Sequence, residues 1–239
     1  MKKLFLTIGI IALSSANSFI FAQEKVNKKE KSDKPVISTP AAKSVEDLAL
    51  AQKSAEYGRK TNSVEALITA IKIVANTPTT KLEVTKTSNN IDSTKVDQGK
   101  KPSSSNLSDI TLSSLISDAK KMANGDKNLL AQIDSASKAD NSRGVVGGPK
   151  FTNERVLGRS QDNYIVTFEG LENAVVYVKG DGTTDLDLIV YDENGNLVES
   201  DADYTDECLV KFLPKWTGKF RIIVRNNGNV YNDYTLITN

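Results

Sequence analysis

The stretch from Gly180 to Asn196 reads G-D-G-T-T-D-L-D-L-I-V-Y-D-E-N-G-N. Its centre alternates apolar residues with carboxylates and other side chains at a period of two, which is typical of a β-strand. Asn194 and Gly195 tolerate positive φ angles, and this dipeptide therefore predicts a tight turn directly after the strand. We predict a β-hairpin here.

Two registers of this hairpin are possible. A two-residue loop places Val190 opposite Glu199. A three-residue loop, with its glycine in the left-handed region, places Val190 opposite Val198 and Tyr191 opposite Leu197. Because a buried face fixes the register of a strand, we prefer the second alternative, which keeps apolar residues together.

The preferred register has an electrostatic consequence. It pairs aspartates across the hairpin and brings four carboxylates onto one face, namely Asp185, Asp187, Asp201 and Asp203. Like charges directly opposite each other destabilise a sheet. Residues 180–207 contain ten Asp and Glu and no Lys or Arg, and oxygen ligands of this kind suit calcium. We therefore predict a calcium site formed by these four side chains, with Asp192 and Asp206 as reserves. The alternative is an acidic surface whose repulsion is screened by water and salt.

The chain from Phe151 onward keeps the same period of two. It predicts eight short strands near residues 154–159, 163–168, 173–179, 185–192, 197–202, 208–213, 218–226 and 230–237. Strands of this length and spacing are typical of an all-β sandwich or jelly roll. Residues 143–149 contain three glycines and a proline and mark a boundary. We therefore predict that residues 151–239 form a domain that folds alone.

The N-terminal half favours helices. Apolar residues recur at helical spacing in two segments of residues 44–76 and in two more of residues 110–139. Residues 77–109 are polar and are predicted to be a disordered insertion within a helical region of residues 44–143. The expected fold class is α+β, in which a small N-terminal helical region precedes a C-terminal jelly-roll-like sandwich.

The first 22 residues resemble a secretory signal peptide. Met1-Lys2-Lys3 precedes a short apolar run, and Ala22 offers the small residue required before cleavage. We predict a mature N-terminus at Gln23, followed by a lysine-rich disordered tether over residues 23–43. A membrane anchor is the alternative, but the apolar run is too short to span well. The protein is thus expected to be exported to the periplasm or the extracellular space, without a membrane span.

The composition excludes several chemistries. The chain has no histidine and a single cysteine, which excludes Ser-His-Asp and Cys-His catalysis, histidine-ligated zinc and an intramolecular disulfide. Cys208 lies in an apolar, strand-like segment and is predicted to be buried. Residues 151–239 carry eight Lys and Arg against fifteen Asp and Glu, which argues against nucleic-acid binding.

The C-terminal part also resembles a known family. Its G-D-G loop, the D-L-D-L strand, Thr205-Asp206-Glu207-Cys208, Thr217-Gly218-Lys219-Phe220 and the closing Tyr231-Asn232-Asp233-Tyr234 are similar to the bacterial pre-peptidase C-terminal domain. This resemblance covers residues 151–239 and implies a secreted β-sandwich that binds surfaces and, in some members, calcium. The helical half resembles no family.

Three functions are compatible with these features. The first is an exported, non-catalytic binding or structural module that presents a surface to a protein or polysaccharide of the envelope or outside the cell. The second is a helix-mediated adaptor for another envelope protein. The third is a hydrolase that uses Asp185 and Asp187 as paired carboxylates. We favour the first, because no nucleophile and base are found together.

Overall fold

The computed structural model describes residues 25–29, 38–91, 110–138 and 148–239. Within these ranges the chain forms four helices and ten strands. The helices are α1 (Pro40–Thr61), α2 (Val64–Ala75), α3 (Leu112–Ala123) and α4 (Lys127–Ala136). The strands are β1 (Thr80–Lys81), β2 (Lys86–Asn90), β3 (Lys150–Val156), β4 (Ser160–Phe168), β5 (Ala174–Gly180), β6 (Leu186–Tyr191), β7 (Leu197–Asp201), β8 (Glu207–Phe212), β9 (Gly218–Asn226) and β10 (Asn232–Thr238).

The strands form two five-stranded sheets that enclose one core. The first sheet has the order β1-β3-β10-β5-β8, and the second has the order β2-β4-β9-β6-β7. Every neighbouring pair is antiparallel except β1 and β3. A helical region followed by a β-sandwich confirms the predicted α+β class.

The sandwich core is formed by alternate residues of each strand, which point between the two sheets. Phe168, Phe212 and Phe220 meet there, with ring centroids 5.1 to 5.7 Å apart. Cys208 belongs to the same cluster, and its thiol donates to the carbonyl of Leu186 over 3.1 Å. Burial raises the pKa of this thiol far above its ordinary value, so the group is unreactive. The predicted burial of Cys208 is confirmed.

The helices have a core of their own and also cover one sheet. Their shared cluster includes Leu67 of α2, Leu115 of α3 and Ile133 of α4. In a separate cluster Val45 of α1 packs with Tyr177 of the first sheet. Helix α1 therefore takes part both in the helical core and in the contact with the first sheet.

Helix α1 begins at Pro40, four residues before the predicted start at Ser44. The side chain of Thr39 caps it by accepting from the N–H of Ala42 over 3.2 Å. Proline is favoured in the first turn, because its fixed φ angle is helical and its missing N–H would have no helical partner there. The Thr-Pro pair is thus the start signal, and Ser44 lies inside the helix.

Residues 80–90 form strands, although the sequence predicted a disordered insertion there. β1 extends the first sheet beside β3, and β2 extends the second sheet beside β4. Between them Leu82, only 6% exposed, enters the sandwich core. This segment therefore crosses from one sheet to the other and closes that edge of the sandwich.

A buried carboxylate fastens β2 to the sheet. Asp162 of β4 is 1% exposed and accepts from the hydroxyl of Ser88 and from the ammonium of Lys86, the latter over 3.3 Å. The hydroxyl of Tyr234 donates to the same carboxylate over 2.8 Å. A buried charge is tolerated when it is paired and hydrogen-bonded. Two of the three partners, Lys86 and Ser88, belong to β2, the strand that the sequence did not predict. The polar side chains of residues 80–90 therefore find hydrogen-bonding partners on the sandwich.

Residues 25–29, which we call the N-terminal clip, lie against the sandwich. Asn27 is 0% exposed. Its side-chain oxygen accepts from the N–H groups of Lys215 and Trp216 over 2.9 and 3.1 Å, and its amide donates to the carbonyl of Trp216 over 3.1 Å. Its own N–H donates to the carboxylate of Asp192 over 2.9 Å. Burial opposes ionisation of Asp192, but hydrogen bonds from Asn27 and from the hairpin turn hold its pKa below the ordinary value.

The clip and the early start of α1 differ from the predicted tether over residues 23–43. Residues 23–24 and 30–37 of that range lie outside the described residues, as does the predicted signal peptide. Within the described residues, no helix is both long enough and apolar enough to cross a bilayer.

Candidate functional site

The outer surfaces of the two sheets differ in their cover. Helix α1 packs on the first sheet, where Val45, Leu48 and Ala49 lie in one cluster with Tyr177 and Ile237. The outer surface of the second sheet carries exposed side chains, and we call it the open face. An antiparallel sheet can pack one side on the core and present its other side to solvent or a partner.

Strand pairing arranges the open face in rows that cross the sheet. The outermost row places Asn89, Gln161, Arg225 and Asp187 side by side. The next row contains Thr87, Asn163, Ile223 and Ile189, and the one after it contains Ile165, Arg221 and Tyr191. The apolar centre of the middle row is itself buried by its neighbours.

A shallow groove of about 620 Å³ lies on this face. The groove is lined by hydroxyl and amide side chains, with one apolar and one cationic side chain. These residues are Thr85, Thr87, Asn89, Gln161, Asn163, Ile165 and Arg221. The amide of Asn163 donates to Asn89 over 2.8 Å and to the carbonyl of Thr87 over 3.3 Å. The amide of Gln161 donates to Asn163 over 3.3 Å. These bonds hold the groove's polar groups in place across two strands.

Three cations project from β9 on the open face. Lys219 and Arg221 are exposed, whereas Arg225 is half-buried. The Arg221 guanidinium lies 4.9 Å from the centre of the Tyr191 ring, a favourable cation–π distance. The Nε of Arg225 is enclosed without a hydrogen-bond partner, and one of its terminal nitrogens reaches Gln161 over 3.5 Å. Among the described residues no carboxylate forms an ion pair with any of the three.

The hairpin register that predicted the calcium site is wrong. Tyr191 does face Leu197, but a bulge follows, so that Val190 faces Glu199 and Leu188 faces Asp201. The bulge inserts one extra residue in β7 and shifts the register for the rest of the strand. It keeps Val198 in the core while removing the two opposed pairs of aspartates.

Three of the four predicted ligands accept hydrogen bonds from separate groups. Asp201 accepts from the N–H of Leu209 over 2.9 Å, and Asp203 accepts from the N–H of its neighbour Thr205 over 2.9 Å. Asp185 accepts from the amide of Asn227 over 3.0 Å, while its second oxygen is buried without a partner. In the described ranges no three acidic, His or Cys side chains converge on a possible metal position. Calcium binding by these side chains stays a prediction.

Asp187 is the one predicted ligand on the open face. It is buried beside Arg225. Burial raises its pKa above the ordinary value, and the charges of Asp185 and Asp201 raise it further. A hydrogen bond from Asn227 and the charge of Arg225 act in the opposite direction without cancelling this rise.

The two reserve aspartates stabilise turns. Asp192 accepts from the N–H groups of Asn194 and Asn196 over 3.0 and 2.8 Å and so holds the hairpin turn. Asp206 accepts from the N–H of Gly182 and from Lys179, the latter over 3.1 Å. Gly182 has a φ of +83°, which only glycine adopts readily. The G-D-G loop is thus held by the second reserve residue.

A larger cleft of about 1020 Å³ lies between the helices and the first sheet. Its principal charged groups are already paired within the protein. Lys179 bonds to Glu56 over 3.2 Å and to Asp206 over 3.1 Å, and Arg155 bonds to Asp233. Because these pairs satisfy one another, the open face is the better candidate site.

No family model and no curated protein match the chain. Solved structures match its C-terminal portion. One is the pre-peptidase C-terminal domain of a collagenase from Bacillus anthracis, with 16% identity and a TM-score of 0.31, over 37% of this chain and 87% of that one. A mitogen from Yersinia pseudotuberculosis matches at 14% identity and a TM-score of 0.33, over 38% and 84% of the two chains. PliG from Aeromonas hydrophila, a periplasmic inhibitor of g-type lysozyme, matches at 15% and 0.29, over 38% and 83%. A pre-peptidase C-terminal domain, the family that the sequence was predicted to resemble, is thus among the solved structures that match.

Sequence reasoning missed the open-face residues. Gln161, Asn163, Ile165 and Thr167 alternate with core residues, and so do the cations of β9. This alternation was readable, but the partner strand β2 was assigned to a disordered insertion. The groove cannot be recognised without that strand, because Thr87 and Asn89 form one of its walls.

Proposed function

We propose that the protein is a non-catalytic binding module and that it uses the open face to hold an extracellular or envelope partner. The observation that carries this proposal is the asymmetry of the sandwich. One sheet is covered by α1, whereas the other presents a pre-ordered polar groove beside cations that form no ion pair with any of the residues the structure describes. Pre-ordered polar groups reduce the entropy that binding must overcome.

The proposal can be tested with a photo-crosslinking amino acid placed in the full-length protein and expressed in a bacterial host. Ile165 lies in the groove and is 51% exposed, whereas Leu157 lies outside it and is 44% exposed. We expect cross-linked adducts of higher mass from the substitution at Ile165 and not from the one at Leu157. Equal adducts from both positions, or none from either, would contradict an open face that binds a partner.

The helix-mediated adaptor receives less support. The apolar stripes of the helices are used in their shared core and on the first sheet. Leu50 and Tyr57 of α1 are exposed, but two separate side chains do not make the contiguous apolar patch that a docking helix presents. The absence of catalytic activity stays a prediction that rests on the missing histidine and the lack of a nucleophile–base pair.

A further inference from the structure

The open face differs in charge from the domain that carries it. Residues 151–239 contain fifteen Asp and Glu against eight Lys and Arg. Three of those eight cations lie on the outer side of β9, where strand pairing places one carboxylate, Asp187, beside them. Burial raises the pKa of Asp187, and this carboxylate forms no ion pair with Arg225. An acidic domain therefore presents a cationic strip on which, among the described residues, Lys219 and Arg221 have no ion-pair partner and Arg225 has one carboxylate, Asp187, beside it.

The Tyr191 ring positions the guanidinium of Arg221 on the open face. The guanidinium lies over the ring, with the charged carbon 4.9 Å from the ring centre. Among the described residues the N–H donors of this guanidinium have no hydrogen-bond partner, so they are available to a ligand. A guanidinium fork matches carboxylate and sulfate oxygens with two parallel hydrogen bonds.

The three cations are spaced along one strand. Lys219, Arg221 and Arg225 occupy the same side of β9. At a rise of about 3.4 Å per residue, Lys219 and Arg221 are roughly 7 Å apart and Arg221 and Arg225 roughly 14 Å apart. A single small anion cannot reach all of them, whereas a chain with repeated anionic groups can.

The neutral part of the groove suits sugar hydroxyls. Asn89, Asn163 and Gln161 are linked across the strands. Asn163 uses both of its N–H donors within the protein, whereas Asn89 and Gln161 each keep an N–H donor for a ligand. Single-stranded nucleic acid is a poorer fit, because its bases require aromatic platforms and the Tyr191 ring is already covered by Arg221.

We propose that the open face binds a polysaccharide whose sugar units carry carboxylate or sulfate groups. Arg221 and Arg225 bind the anionic groups, and the amides of Asn89 and Gln161, together with the side-chain oxygen of Asn163, bind hydroxyl groups. This inference rests on the proposed function, since it names the class of ligand for the same face.

The test compares three polymers with one backbone: dextran, carboxymethyl dextran and dextran sulfate. Dissociation constants are measured by calorimetry with the full-length mature protein at low and at physiological salt. The double variant Arg221→Gln, Arg225→Gln is compared with Lys150→Gln, Lys215→Gln, which removes the same charge from exposed positions away from the open face. We expect the arginine variant to bind the carboxylated or sulfated polymer about tenfold more weakly or worse, since two charge-assisted contacts are lost. The lysine variant should bind within about twofold of the wild-type protein, because exposed charges remote from the binding site contribute little to affinity.

Each other outcome has a definite meaning. Equal weakening in both double variants would show a bulk charge effect and overturn the inference, as would a single-stranded DNA oligomer that binds as tightly and depends on the same arginines. Equal affinity for plain dextran would overturn the requirement for anionic groups but leave a glycan-binding face. If no polymer binds while the substitution at Ile165 cross-links to a discrete protein, the polysaccharide is wrong and the proposed function stands. If neither is seen, both are wrong.

Discussion

Replacing Asn27 with alanine tests how the N-terminal clip is held. The substitution removes the acceptor for two backbone N–H groups, those of Lys215 and Trp216, and the donor to the Trp216 carbonyl. A buried polar group left without a partner costs about 1–3 kcal/mol. Because water can reach this part-buried site, we take about 1 kcal/mol for each of the two N–H groups and expect a loss of about 2 kcal/mol in the free energy of unfolding.

That loss has an upper limit, because the clip can detach. Ordering five residues costs roughly 1–2 kcal/mol for each backbone unit, so the contacts of Asn27 decide whether the clip stays bound. Once the clip has detached, the loss in the free energy of unfolding cannot exceed the free energy with which the clip docks on the sandwich. We expect a fall of about 4–8 °C in the melting temperature of a chain of this size.

Hydrogen exchange separates detachment from global unfolding. The N–H of Lys29 donates to the carbonyl of Leu213 over 2.7 Å, and its protection should be lost in Asn27→Ala under native conditions. Lys25→Ala is the matched control, since this side chain is exposed in the same segment, and it should change stability by less than about 0.5 kcal/mol. If Asn27→Ala melts like the control and the Lys29 amide stays protected, the clip does not depend on Asn27 and the reasoning fails.

Two further predictions concern a carboxylate and a domain boundary. The pKa of Asp187 is raised in the folded state, so its ionisation opposes folding at neutral pH and ceases to do so below the unfolded value. Asp187→Asn should therefore raise the melting temperature at pH 7, with a gain that shrinks as the pH falls towards about 3.8; a gain independent of pH would contradict this. The fragment of residues 151–239 lacks β1, β2 and Leu82, so we now expect it to melt well below the full chain and to be stabilised by an added peptide of residues 78–91. Melting at the same temperature, without a response to the peptide, would restore the original expectation of an independent domain.

The elements that the sequence predicted well are those set by local pattern. All eight strands expected after Phe151 are present, since alternation with buried apolar residues is a property of each strand alone. The four helices were found for the same reason, although α1 begins earlier because Thr39 and Pro40 cap it. Burial of Cys208 followed from its apolar neighbours.

The hairpin shows where pattern stops being sufficient. Two simple registers were considered, and the molecule combines features of both through a bulge, with Tyr191 facing Leu197 and Val190 facing Glu199. The bulge lets Val198 stay in the core without a strict pairing. Because one inserted residue reverses the face of every later side chain, the four-aspartate site depended on a detail that no local pattern specifies.

The sequence by itself determined the fold class, the core-facing side of each long strand and the exclusion of histidine chemistry, because these follow from composition and from periodicity within single elements. Only the tertiary structure decided the partners of the polar segments. Residues 80–90 offer only Leu82 and Val84 as apolar residues, and Asn27 is polar. They are ordered because Leu82 enters the core and because a buried Asp162 and the backbone groups of residues 215–216 offer them hydrogen bonds. Such complementarity joins residues far apart in the chain, and it exists only after the sandwich has brought them together.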